Sequence, residues 1–185
     1  MFTFCPSCAS KKIKFEKERV FLCPDCGFTY YHNIAAATAC IINANSGLLF
    51  LERVKDPGRG KLDLPGGFID PGEGAIEGIR REVREELGLE LASMGIHGGA
   101  PMQTKKHELR FFCSFPNKYL YKNIMYNTCD LFFLFNAPDL SEKDLKLDTD
   151  ENSSVLFIKP EELDMEKIAF ESVKKALQLF IADVH

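Results

Sequence analysis

Residues 67–89 read GFIDPGEGAIEGIRREVREELGL, and this stretch decides the fold and most of the chemistry. Its second half has helical spacing. Ile76, Ile79, Val83 and Leu87 fall on one face of a helix expected over 75–87, and Gly88 is the expected stop. At 100° per residue this apolar stripe centres near Val83. Glu82, Glu85 and Glu86 then fall on a neighbouring arc roughly 110° away. Like charges at i,i+4, as in Glu82 and Glu86, destabilise an isolated helix. A hard divalent cation with oxygen ligands turns that repulsion into binding. Taken alone, such a Glu-rich arc describes a solvated helix face. The preceding loop changes the reading. Gly66-Gly67 lets backbone approach a ligand closely, Glu73 follows, and Arg81 stands immediately before the carboxylates.

Working outward, residues 55–74 hold six Gly and three Pro, so tight turns punctuate the approach to the helix. Upstream, IAAATACIIN (34–43) and GLLFLERV (47–54) are strand-like runs separated by a turn at NANS (43–46). Downstream, strands are expected near Leu109–Phe115, Thr128–Phe135 and Ser154–Ile158. PEELDMEKIAFESVKKALQLFIADV (160–184) reads as a short helix followed by a longer amphipathic one. Strands mixed with helices in this way indicate an α/β domain, a mixed sheet covered by helices.

The first 33 residues differ in kind. FCPSC (4–8) and CPDCG (23–27) flank a basic, strand-like KKIKFEKERVFL (11–22). The pairs Cys5–Cys8 and Cys23–Cys26 sit in Pro-bearing knuckles 14 residues apart, a spacing at which four thiolates converge tetrahedrally on one Zn²⁺. So short a segment builds little core, and the metal supplies its folding energy. The expected organisation is a zinc ribbon over 1–33 and an α/β domain over 34–185.

Apolar residues at 45% and charged residues at 27% of 185 describe a folded domain, not a disordered chain. No apolar run nears the ~20 residues of a membrane span. Residues 1–10 lack the basic stretch and apolar core of a secretory signal. A net charge of −4 argues against general coating of nucleic acid. Seven cysteines, an odd number, point to a reducing, cytoplasmic setting rather than a disulfide framework. Cys40, Cys113 and Cys129 lie in apolar strand-like text and read as small buried hydrophobes. His97 and His107 show no ligand spacing and read as surface or satisfied core histidines.

The stretch 67–89 resembles the Nudix box, G-x5-E-x7-R-E-U-x-E-E-x-G-U with U a bulky aliphatic residue. Gly67, Glu73, Arg81, Glu82, Val83, Glu85, Glu86, Gly88 and Leu89 fit at every position. Chance agreement at the fixed residues is on the order of 10⁻⁸ per starting point. The resemblance implies a Nudix α/β/α sandwich and a hydrolase that cleaves a nucleoside diphosphate linked to another moiety. By position, Glu82 and Glu86 resemble the principal ligands of catalytic Mg²⁺ or Mn²⁺. Glu85 resembles a third carboxylate acting directly or through water, and the Gly66 carbonyl a backbone ligand. Arg81 with Glu73 resembles a salt bridge that steadies the loop against the helix. Glu151, in DTDENSSVLFI (148–158), stands where family members often place another metal-binding Glu, and reads equally well as a surface residue. As general base, Glu82, Glu85 and a Glu outside the box all stay open.

The cysteine tandem followed by GFTYYHN (27–33) and the box resembles two zinc-ribbon groups of that family. One comprises NADH pyrophosphatases, linked also to removal of NAD caps from RNA. The other acts on ADP-ribose or FAD. The NADH group's SQPWPFPxS signature is missing and the chain has no Trp; CSFPNKYLYKNIMYNT (113–128) stands in its place. IAFESVKKALQLFIAD (168–183) is similar to the tail of the ADP-ribose/FAD group, although Ile34 replaces a usual junction Pro. The expected reaction is hydrolysis of the pyrophosphate of ADP-ribose or FAD, releasing AMP. Alternatives are NADH pyrophosphatase or NAD-decapping activity, or a non-catalytic Nudix module that binds a ligand or RNA. Phe115, Tyr119, Tyr121 and Tyr126 are candidates to stack on a base, against a plain packing role. The expected partners are a nucleotide-derivative substrate and a second copy in a homodimer, with no membrane and no nucleic acid except a capped RNA end. The basic face of Lys11, Lys12, Lys14, Lys17 and Arg19 reads as solvated or packed in that dimer, with contact to RNA or a partner protein as the alternative.

Overall fold

The computed structural model describes residues 2–17, 19–91 and 108–184; His97 and His107 lie outside them. Three short antiparallel strands come first, β1 (Lys14–Glu16), β2 (Val20–Leu22) and β3 (Thr29–Tyr31), in that order across the sheet. Phe15, Phe21 and Tyr30 face one another across the three strands, and the Phe2 ring packs on Phe21 at 5.0 Å. Among the described residues of this segment only Cys5, Phe21 and Cys23 are buried, so it has little core of its own.

The rest is built on one sheet. Its elements are β4 (Ala35–Ala44), β5 (Gly47–Arg53), β6 (Leu62–Asp63), β7 (Gly66–Phe68), α1 (Ala75–Leu87), β8 (Leu109–Tyr121), β9 (Ile124–Asn136), β10 (Asn152–Ile158) and α2 (Glu171–Val184). The strand order is β10-β5-β4-β9-β8, with β6 beside β5 and β7 beside β4. β4 and β9 run parallel and the other pairs antiparallel, so the sheet is mixed.

Alternation along the strands makes two cores. Cys40, Ile42, Leu49, Leu51, Phe133 and Phe135 face α1, where Ile79, Val83 and Leu87 are fully buried. Ile41, Leu48, Phe50, Phe132 and Leu134 face α2, where Val173, Ala176, Leu177 and Phe180 close the opposite layer. Strands buried on both faces read as unbroken apolar runs, which is why LLFL and LFFLF carry no polar positions. The result is an α/β/α sandwich. The Glu77 carboxylate accepts the Gly74 N–H at 2.9 Å where α1 starts. Gly88, in the left-handed region at φ 64°, returns its N–H to the Arg84 carbonyl where α1 ends.

Three details differ from the sequence reading. β8 does not stop at Phe115 but runs on to Tyr121 and pairs with β9 through a hairpin whose turn residues Lys122 and Asn123 both have positive φ. Pro116 lies within β8, which is the edge of the sheet, where a missing N–H is tolerated. The short C-terminal helix is two 3₁₀ turns, Pro160–Glu162 and Met165–Lys167. Cys40 is a core residue, whereas Cys113 and Cys129 are only half-buried. Among the described residues no helix is long and apolar enough to cross a membrane.

Candidate active site

The site is assembled where β7 passes under α1. A Cβ at Gly66 would overlap the Thr38 carbonyl oxygen of β4, and a Cβ at Gly67 would stand 2.5 Å from Glu82 Oε1. Gly66 therefore requires glycine, because backbone stands where its Cβ would be, whereas a side chain at Gly67 would displace the Glu82 carboxylate. The Gly66 N–H donates to Glu86 Oε2 at 2.8 Å, and Asn152 Nδ2, at the start of β10, donates to Glu86 Oε1 at 3.2 Å. Glu86 is only 8% exposed, and burial pushes its carboxyl up to about 8 against those two donors. Burial raises Glu82 as well, opposed by Arg81.

Arg81 holds the arc together. Its Nε and Nη2 donate to the two oxygens of Glu73 at 2.8 and 2.9 Å, and Nη2 also reaches the Phe68 carbonyl at 3.0 Å. Nη1 donates to Glu82 Oε1 at 2.8 Å and to Glu85 Oε2 at 3.2 Å. The paired Arg81 holds the Glu73 carboxyl below its ordinary value. One guanidinium thus fixes the loop to the helix and offsets the repulsion among the box carboxylates.

A cleft of about 450 Å³ opens over this arc. Gly66, Gly67, Glu82, Glu86, Glu151 and Asn152 line one side; Glu85, turned to Arg81, does not line it. Glu151 is half-exposed and ion-paired with Lys55 at 3.2 Å. Tyr119 centres the opposite, aromatic side, with ring centroids 5.4 Å from Phe68, 5.6 Å from Phe170 and 6.5 Å from Tyr121. Deeper in, Arg53 Nη1 pairs with Asp63 Oδ2 at 2.8 Å, and burial pushes the Asp63 carboxyl up to about 6. Asp130 accepts hydroxyl bonds from Thr128 and Ser172. Phe115 is elsewhere: it lines a neighbouring cavity of about 650 Å³ with Ile34, Pro116 and Cys129. Tyr126 lies against Phe68 at 6.3 Å.

Sequence reasoning missed Phe68, Phe170, Arg53, Asp63, Asp130 and Asn152. Phe68 lies inside the box at a variable position, and the others sit in strands or before a helix, where their types carry no local signal. Phe68 adjoins Gly67 of the box and Asn152 adjoins Glu151.

The donor set suits a hard cation. Glu86 is a buried carboxylate held by two neutral donors, and among the described residues no cationic side chain pairs with it. A divalent ion is the charge that would compensate it, and Glu82, Glu151 and the Gly66 carbonyl supply further oxygens of the type Mg²⁺ and Mn²⁺ take. At the ribbon, the Sγ atoms of Cys5, Cys8, Cys23 and Cys26 all lie within 4.8 Å of one another. Two of the spacings are 3.6 Å (Cys5–Cys26) and 3.7 Å (Cys8–Cys23). A tetrahedron with Zn–S near 2.3 Å has edges of about 3.8 Å, so the cluster fits zinc.

The family model described as the NUDIX domain matches residues 32–180. The chain belongs to the Nudix family. Among curated Nudix relatives, the NAD-capped RNA hydrolase NudC of Stutzerimonas stutzeri is 32% identical over 88 residues, 48% of this chain and 32% of that protein. The ADP-ribose pyrophosphatase of Methanocaldococcus jannaschii is 35% identical over 79 residues, 43% of this chain and 41% of that protein. The matches thus span well under half the length of those relatives. Among solved structures, a Nudix hydrolase from Nitrosomonas europaea superposes with a TM-score of 0.66 at 21% identity, covering 98% of this chain and 92% of that one. The NUDIX domain of Shewanella oneidensis NrtR, in complex with ADP ribose, gives 0.63 at 12% identity, covering 84% and 91%. At these identities the structural likeness is one of fold.

Proposed function

We propose that the chain is a divalent-metal-dependent pyrophosphohydrolase acting on a nucleoside diphosphate derivative, with ADP-ribose or FAD as substrate and AMP as a product. The observation that supports this most is the shared cleft, with the box carboxylates on one side and an aromatic side large enough for a base opposite. Glu82 and Glu86, with Glu85, Glu151 and the Gly66 carbonyl, would hold Mg²⁺ or Mn²⁺. Bound there, such ions neutralise the diphosphate and acidify the attacking water. The residues themselves position and deprotonate. Gly66 N–H and Asn152 orient Glu86, and Arg81 with Glu73 keeps α1 and the loop in register. The proton of the water goes to a carboxylate at the cleft; Glu82 and Glu151 line it, and Glu85 would need to leave Arg81 to serve. Tyr119 and Tyr121 would stack on a base, with Phe115 acting from the neighbouring cavity.

We further propose two units, a zinc ribbon over 1–33 with Zn²⁺ on the four cysteines and a Nudix domain over 34–185, working in the cytoplasm as a homodimer. NADH pyrophosphatase or NAD-decapping activity is the second reading, favoured by relatives named NAD-capped RNA hydrolases. A panel of ADP-ribose, FAD, NADH and NAD-capped RNA with product identification decides. Mg²⁺-dependent AMP release from ADP-ribose or FAD, with little from NADH, supports the first reading. Dominant cleavage of NADH or capped RNA supports the second. Ligand binding without cleavage of any of them overturns both.

A further inference from the structure

β4 presents Ala35, Ala37 and Ala39 toward the cleft face of the sheet, and their partners on β9 are Thr128, Asp130 and Phe132. Beyond them β8 places Asn117 beside Thr128 and Phe115 beside Asp130, while β7 sets Phe68 beside Ala37. Three alanines in a row keep the sheet face low. The side chains of Phe68, Tyr119 and Phe170 rise around it, and Ala37, Asp130 and all three rings line one cleft.

Asp130 is the polar centre of this floor. Thr128 Oγ1 and Ser172 Oγ donate to its two oxygens, each at 2.6 Å, and both hydroxyl residues are buried, at 3% and 0% exposure. Among the described residues no cation pairs with Asp130; Arg53 is taken by Asp63 and stacks 5.1 Å over the Phe170 ring. A carboxylate accepts and never donates, and one hydroxyl per oxygen leaves lone pairs free. The group is therefore oriented, bordered by aromatic faces, and able to accept further donors from an occupant of the cleft. Flat rings suit a planar heterocycle better than a puckered sugar.

Resting on the hydrolase reading above, we propose that Asp130 is a specificity-determining residue that accepts the exocyclic amino group of a nucleobase, making amino-bearing purine nucleotides the substrate class. Hypoxanthine turns a carbonyl oxygen toward a carboxylate where adenine turns an amino group, and uracil has no amino group at all. Free lone pairs met by an amino group gain a hydrogen bond, whereas the same lone pairs met by a carbonyl oxygen are repelled, and the site discriminates by that difference.

The test is equilibrium binding of AMP, GMP, IMP, UMP and 2′-deoxy-AMP to the full chain in Mg²⁺ buffer. Monophosphates contain no pyrophosphate, so this readout does not depend on turnover. AMP or GMP is expected to bind about 10- to 100-fold tighter than IMP and UMP. Asp130→Asn brings in an amide that both donates and accepts, which the Thr128 and Ser172 hydroxyls meet by rotating. It should erase or invert the preference, whereas Tyr119→Leu should weaken all the ligands alike. Equal binding of the four ribonucleotides by the natural chain overturns the proposal whether or not the variants fold. So does an unchanged preference in Asp130→Asn, or a loss with 2′-deoxy-AMP as large as that with IMP, which would assign Asp130 to the ribose. Base preference without hydrolysis of ADP-ribose, FAD, NADH or NAD-capped RNA sinks the hydrolase reading alone; hydrolysis without base preference sinks this one alone.

Discussion

Replacing Glu86 with Gln should stabilise the metal-free protein while removing its proposed activity. The carboxyl is moved from 4.5 to about 8, first by burial and against the pull of Gly66 N–H and Asn152. Between those values the folded chain holds the proton and the unfolded chain does not. Stability must therefore fall as pH rises from about 4.5 to about 8, and stay low above it. Each pKa unit corresponds to about 1.4 kcal/mol, so by pH 7 the loss is about 3 kcal/mol. Gln escapes that loss and keeps both contacts. Its amide oxygen accepts from Gly66, and Asn152 turns its own carbonyl to the new amide. For a chain of this size, Glu86→Gln should raise Tm by roughly 5–10 °C at pH 7 without divalent ions. The gain should shrink as pH falls toward 4.5 and vanish below it, where the natural carboxyl is neutral in both states. Mg²⁺ should raise the Tm of the natural chain far more than that of the variant, because binding to the folded state alone adds to stability by mass action. Thermal unfolding followed by circular dichroism at several pH values, with and without Mg²⁺, reads all of this. A variant no more stable than the natural chain at pH 7 without metal, or equal Mg²⁺ stabilisation of both, would refute the reasoning.

Elemental analysis should find about one zinc per chain, and Cys23→Ser should lose it together with order in the first 33 residues; a zinc-free but ordered ribbon contradicts the tetrathiolate site. Arg81→Ala leaves Glu73, Glu82 and Glu85 facing one another and should cost about 2–4 kcal/mol in denaturant unfolding. An unmoved midpoint would show that the guanidinium is not what holds the arc. Asn152→Ala should weaken Mg²⁺ or Mn²⁺ binding by about 10-fold, read by calorimetric titration, with the zinc content unchanged. Unaltered affinity would mean that Glu86 needs no second donor.

Local periodicity carried much of the fold. The 3, 4, 4 spacing of Ile76, Ile79, Val83 and Leu87 defines α1 to the residue, because Gly88 ends it and the buried stripe leaves no other register. The unbroken apolar runs around Phe50 and Phe133 report strands covered on both faces. The full length of the β8–β9 hairpin is not local information, because Pro116 is a breaker in a central strand and acceptable at an edge, and sequence does not say which strand is the edge. Phe115 and Tyr119 looked equivalent, as alternate residues of one aromatic segment. The structure separates them into neighbouring cavities.

What the sequence determined by itself is whatever depends on close spacing along the chain: α1, its carboxylate arc, the double glycine beneath it and the pairing of cysteines in knuckles. What only the tertiary structure decided is the company these groups keep. Asn152 meets Glu86 across 66 residues, and Ser172 reaches Asp130 across 42. The cause is physical: a helix or a turn brings together neighbours within a few positions, whereas a cleft wall is made by strand order and layer packing, which bring together residues that share no local pattern.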